Sequence, residues 1–201
     1  SVYHPDHDYY QLKGNCRRWI GRALNVMNRL CNLDQDEMDR AFERADNGKP
    51  ALVGIAAHDF RDLEKEVQHI RGLIRSSAKK YPGVKFRFCE AIEGFRQTIW
   101  PQGVDAAALD LSVSFHPASS EDVAFIEVSE KSGKVFGPQP FLALQTKSRK
   151  FIHDNFDMAE SMDRWFYAFH ADTLPLEDVA AVGVAANDQY GNSCVKTIQF
   201  D

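Results

Sequence analysis

The sequence predicts an α+β protein: an α/β segment up to about Asp105 containing a β-α-β unit, then a wholly antiparallel β module running to the C-terminus. Three observations predict it. Apolar residues recur at helical spacing through the first half, an unbroken apolar run lies among those stretches, and from Ala106 the period changes to two.

In the first half, Ile20, Ala23, Leu24, Met27, Leu30 and Cys31 fall at helical spacing, so the pattern predicts a helix from Cys16 to Asn32, ringed by Arg17, Arg18, Arg22 and Arg29. A second helix follows, opened by Asp34 and Glu37 at capping-box spacing, striped by Met38, Ala41, Phe42 and Ala45, and ended by Asn47-Gly48. After Pro50, the run Ala51 to Ala57 lacks polar alternation, as in a parallel strand covered on both faces. Leu63, Val67, Ile70 and Ile74 mark a helix to about Lys80; Tyr81-Pro82-Gly83 breaks it, and Val84 to Cys89 supplies the next strand. A short helix carrying Ala91, Ile92, Phe95 and Ile99 precedes Trp100-Pro101.

In the second half, Leu109, Leu111, Val113 and Phe115 alternate with polar residues, as do Phe125 and Val128, with Ile126 as the one break. Further strands are expected at Phe141–Thr146, Arg164–His170, Ala180–Ala186 and Ser193–Phe200, separated by turns at 131–133, 137–138 and 188–192. About seven short strands at regular spacing are the pattern of an immunoglobulin-like sandwich.

Residues 1–105 hold 17 Lys+Arg and 15 Asp+Glu, and the remainder holds 7 and 14. Neither half has the strongly basic field of a nucleic-acid binder. With no run near the ~20 apolar residues of a membrane span and no apolar leader at Ser1, no membrane partner is expected either. A chain opening on Ser rather than Met is expected to be a trimmed one. Cys16, Cys31, Cys89 and Cys194 lie far apart without a Cys-x-x-Cys pair, so free, largely buried thiols and a cytoplasmic location are expected.

The leading chemical constellation is His58-Asp59-x-Arg61-Asp62, because the C-terminal ends of parallel strands are where α/β proteins place their sites. There His58 could exchange a proton with a leaving group while Asp59 orients its ring. The competing reading has Asp59 or Asp62 capping the next helix and His58 packing at its start. The segment Tyr3 to Tyr10, with His4, His7, Asp6 and Asp8, could hold a metal or a sugar, or be a polar arm. Arg17-Arg18-Trp19 could clamp an anionic substrate group or form a solvated face. In the β half, Phe151, Phe156 and the run Trp165 to Phe169 read first as core, and Asp188 to Asn192 as a hairpin turn. His153, Asp154 and Asp157, expected in a loop, carry only a weak calcium signal.

The stretch Ala51 to Asp59, a helix, and then Val84 to Ile92 resembles the last strand-helix-strand part of polysaccharide deacetylases. The likeness covers roughly residues 50–99. It implies a barrel-like α/β segment and a role for His58 in the catalytic machinery. It also implies a further aspartate base and an Asp-His-His metal site on earlier strands, for which this sequence has neither the His-x-x-x-His pair nor the paired aspartates. The resemblance thus implies either the C-terminal piece of a longer barrel with an appended sandwich or a relative that lost the metal, catalytically incomplete by itself. A divalent cofactor such as zinc is expected only where upstream ligands exist.

Two functions stay open. One is a carbohydrate-active hydrolase of N- or O-acyl groups, with His58 and Asp59 catalytic and Arg61, His4, Asp8, Arg17 and Arg18 binding substrate. The other is a non-catalytic module binding carbohydrate or protein. A metal-free lyase or isomerase acting on a sugar acid through the arginines is a third reading. Edge strands can pair between chains, so a homodimer is among the expected partners.

Overall fold

A computed structural model describes residues 2–26, 32–58 and 60–200. It is a mixed α+β protein that divides into two compact units, Ser1–Gly103 and Val104–Asp201.

In the first unit, β1 (Val2–Tyr3) pairs antiparallel with β2 (Ile20–Gly21), and β3 (Ala23–Asn25) pairs parallel with β4 (Gly54–Ala56). The crossover between the parallel strands contains α1 (Gln35–Asp46); α2 (Leu63–Lys80) and α3 (Ala91–Ile99) follow β4. α1 starts where the sequence predicts, because the Asp34 carboxylate accepts the Glu37 N–H at 2.9 Å and satisfies one orphan amide of the first turn. Its buried stripe of Met38 and Phe42 packs with Leu24, Val26, Leu33, Ile70 and Ile74 into one apolar cluster.

Three expectations for this unit are corrected. The helix foreseen from Cys16 to Asn32 is replaced, over its described part up to Val26, by extended chain, β2 and β3, while residues 27–31 lie outside the described residues. Ile20, Ala23 and Leu24 have helical spacing, but the hydrogen bonds of the neighbouring segments are taken by Val2–Tyr3 and Gly54–Ala56, and that long-range pairing overrides local preference. The apolar run at 51–57 forms a strand only over three residues, with Ile55 41% exposed rather than covered on both faces. Val84 to Cys89 is irregular, and residues 85–89 are all exposed, Phe86 and Phe88 at 52% and 68%. The β-α-β unit is therefore β3-α1-β4 rather than one built on 84–89.

The second unit has two four-stranded antiparallel sheets. One runs β5 (Asp110–His116), β6 (Phe125–Ser132), β10 (Arg164–Ala168), β9 (Asp157–Met158). The other runs β12 (Ser193–Gln199), β11 (Val179–Asn187), β7 (Phe141–Thr146), β8 (Phe151–Asp154). Register places Val113 beside Val128 beside Trp165 in the first sheet and Leu144 beside Val182 in the second. These residues are buried in, or packed against, one shared core that also holds Ile126, Leu142, Val184 and Phe169. The Trp165 indole N–H donates to the Pro138 carbonyl at 3.0 Å, so its ring is buried without an orphaned donor. Gly133 (φ 69°) follows β6, and a Cβ there would stand 2.8 Å from the Leu109 Cα, so the turn requires glycine.

The Asp188 carboxylate accepts the Tyr190 and Asn192 amides and shapes the β11–β12 turn, as the sequence indicates. Two expectations differ. Phe151, read as core, is 78% exposed, because four-residue β8 is an edge strand of its sheet. His153 and Asp154 belong to that strand and Asp157 to β9 rather than to a loop, and the Asp154 carboxylate accepts the Tyr167 hydroxyl at 3.2 Å. Burial, with Asp154 adding to it, pushes the Tyr167 hydroxyl up to about 12. Cys194 is buried and Cys16 half-buried, but Cys89 is exposed; Cys31 lies outside the described residues. Among the described residues no helix is long and apolar enough to cross a membrane.

Candidate functional site

His58 stands two residues beyond the C-terminal end of β4. Its ring is exposed and stacks on Phe60, with centroids 5.1 Å apart and planes 21° apart, and Phe60 is itself 77% exposed. The Arg61 guanidinium lies 5.9 Å from the Phe60 centroid. The same group donates to the Val26 carbonyl at 2.7 Å and pairs with Glu66 at 3.3 Å. Arg61 thereby ties this corner to the chain leaving β3 and to α2, giving the buried Glu66 carboxylate a cation that offsets part of its desolvation. Asp59 lies outside the described residues. Asp62 is the N-cap residue of α2 but makes no side-chain cap bond; its carboxylate faces Lys65 at 3.2 Å instead.

The N-terminal segment folds back as a loop closed by β1 and β2 and by a bridge between Pro5 and Lys13. His4 is brought to Arg18 and Trp19: its Nδ1 lies 3.1 Å from the Arg18 carbonyl, and its ring packs 3.6 Å from the indole. The Arg18 contribution is thus a backbone oxygen, and the Arg17 and Arg18 side chains are exposed. Asp8 is exposed and donates its amide to Asp6. The Asp6 carboxylate accepts the Asp8 and Tyr9 amides, which hold its pKa below the ordinary value. Gly14 has to be glycine for this loop to close, since a Cβ would lie 2.5 Å from the Asp6 Cα. His4 and Arg18 are therefore together in the terminal loop, while His58 and Arg61 form a separate cluster beyond β4.

Sequence reasoning missed a cleft of about 340 Å³ at the other end of the parallel strands. Trp19, Arg22, Glu37, Arg40, Arg44 and Thr98 are among its walls, and none of His58, Arg61, His4, Asp8, Arg17 or Arg18 is. Glu37, Arg40 and Arg44 share one α1 face because they stand at i, i+3 and i+7. Arg22 reaches the Glu37 carboxylate at 2.8 Å, and Arg40 reaches it at 3.5 Å. The Arg44 Nε donates to the Pro50 carbonyl at 2.9 Å. The signal available in the sequence was the arginine spacing on the predicted second helix. Arg22 is not legible there, because the helical spacing around it predicts a helix where the described chain forms β2 and β3.

Among the described residues no group of three His, Cys, Asp or Glu side chains could hold a metal ion. The donor set a deacetylase-type metal requires is therefore not met by these residues. Comparison of the chain with protein-family models, curated proteins and solved structures finds no match to any of them.

Proposed function

We propose that the chain is a carbohydrate-active protein related to polysaccharide deacetylases, acting on N- or O-acyl groups of a sugar through the His58 corner. The observation that carries the reading is the exposed His58–Phe60 stack just beyond the C-terminal end of a parallel strand, the end at which such sheets carry their chemistry. An aromatic face presented beside a fixed guanidinium suits the apolar faces and hydroxyls of a sugar ring. Two further features support it. The order β3-α1-β4-α2 is that of consecutive β/α repeats, and the exposed Ile55 is an apolar face that a further crossover helix would cover. In the second unit the strand orders β5-β6-β10-β9 and β12-β11-β7-β8 fit an immunoglobulin-like sandwich.

In this reading His58 delivers a proton to the departing sugar nitrogen or oxygen as the acyl bond breaks. The reaction also needs a base that activates the attacking water, a role separate from the proton that His58 delivers.

A second reading, a non-catalytic binding module, is favoured by exposed groups on the second unit. There Phe141 (58% exposed) stacks with His153 at 6.3 Å, and Phe151 and Val195 are also exposed. One titration separates the two. With chitin oligosaccharides followed by NMR, the first reading expects the His58 and Phe60 ring signals to shift and binding to weaken about tenfold in Phe60→Ala, the loss of one stacking contact. Shifts confined to Phe141, Phe151 and His153 would replace it by the second reading, and no shift at either place would overturn both.

A further inference from the structure

We infer that the cleft between α1 and the N-terminal ends of β3 and β4 is a binding site for a small organic anion carrying a carboxylate or phosphate. This does not rest on the function proposed for His58, which lies at the opposite end of the same strands.

Charge is the first argument. Among the described residues, Arg22, Arg40 and Arg44 line the cleft against Glu37 as the one lining carboxylate, two positive charges in excess. A carboxylate shared by two guanidiniums cannot neutralise a third, and each guanidinium has five N–H donors of which Glu37 and Pro50 occupy few. Geometry is the second. Arg44 is anchored through Nε to the Pro50 carbonyl, and no described group accepts from its two terminal amino groups, the pair that meets a carboxylate or phosphate side-on. Arg22 is likewise anchored through one Nη to Glu37. Pinned in this way, the guanidiniums lose less rotamer freedom on capturing an anion than free surface arginines would.

The third argument is the shape of the remaining wall. Trp19 supplies an aromatic surface on the same cleft and packs against the His4 ring, and Thr98, whose hydroxyl donates to the Gly94 carbonyl at 2.8 Å, supplies a polar edge. Apolar Leu24, Leu52 and Ile99 complete it. A bare inorganic ion would leave these surfaces unused, whereas a sugar-sized body would cover them. A cleft of about 340 Å³ suits a molecule of that size.

The test is calorimetric titration of the whole chain at low ionic strength, with glucuronate, glucose 6-phosphate and neutral glucose as probes. Arg40→Gln is the primary variant, because Arg40 is 70% exposed and its contact at 3.5 Å is weak, so the fold survives its loss. Arg44→Gln is the second, and Arg75→Gln, exposed on α2, is the control. The expected result is binding of one or both anions but not of glucose, weakened about tenfold in Arg40→Gln and Arg44→Gln and unchanged in Arg75→Gln. Preference between glucuronate and glucose 6-phosphate tells a carboxylate from a phosphate ligand. Absence of binding by both anions up to about 10 mM, or equal binding by wild type and Arg40→Gln, overturns the inference.

Discussion

At the scale of single residues, the contact between α1 and α2 turns on Asp39. Its carboxylate accepts from the Lys80 ammonium, from the buried Ser77 hydroxyl at 2.6 Å and from Gln35 at 2.9 Å. These bonds, Lys80 foremost, hold Asp39 down at about 2 and raise Lys80. Because the folded pKa is depressed, the stabilisation is complete above the unfolded value near 4 and is lost as pH falls from about 4 through about 2. Asp110, beside Lys196 and Lys131, is held at about 2 in the same manner in the second unit. Urea midpoints measured between pH 2 and 6 are expected to fall steeply below pH 4 in the wild type. The slope should be shallower in Asp39→Asn; an identical acid limb in that variant would remove Asp39 from the account. None of this is legible in the sequence, since Asp39, Ser77 and Lys80 are brought together only when two helices pack.

At the scale of elements, the two aspartates that open helices make a direct comparison. Asp34 caps α1 through the Glu37 amide, whereas Asp62 at the start of α2 makes no cap bond. Asp34→Ala should therefore cost about 1 kcal/mol, and Asp62→Ala should stay within about 0.5 kcal/mol, read from urea midpoints. Equal losses would mean that the two helix starts are the same. Helices α1, α2 and α3 were legible because each carries its own information: an apolar stripe at 3.6-residue spacing, with Gly48 or Pro82 beyond the end of α1 and α2. A strand carries only half of its information. Val84, Phe86 and Phe88 alternate as a strand should, yet no described segment pairs with them and they stay irregular. Ile20 to Asn25 mimics a helix and is drawn into two ladders by partners elsewhere in the chain.

At the scale of the whole molecule, residues 101–108 between the two units are exposed and contain neither helix nor strand. Backbone of that kind is where proteases cut first. Limited digestion with a protease of broad specificity is expected to give its earliest cleavage within this stretch, identified by mass spectrometry, and first cuts inside β5–β12 would contradict that. The sequence by itself determined the α+β class, the three helices, most of the strands of the second half and the turn at Asp188, because helical stripes, two-residue alternation and turn residues are written locally. It also put His58 just after a parallel strand. Only the tertiary structure decided that residues 20–25 are strands, that Phe151 and Phe86 face outward, and that Arg22, from beside β3, meets Glu37, Arg40 and Arg44 from α1 around one cleft. Those outcomes depend on which distant segments pair and pack, and the energy of a ladder or an ion pair belongs to both partners and to neither sequence alone.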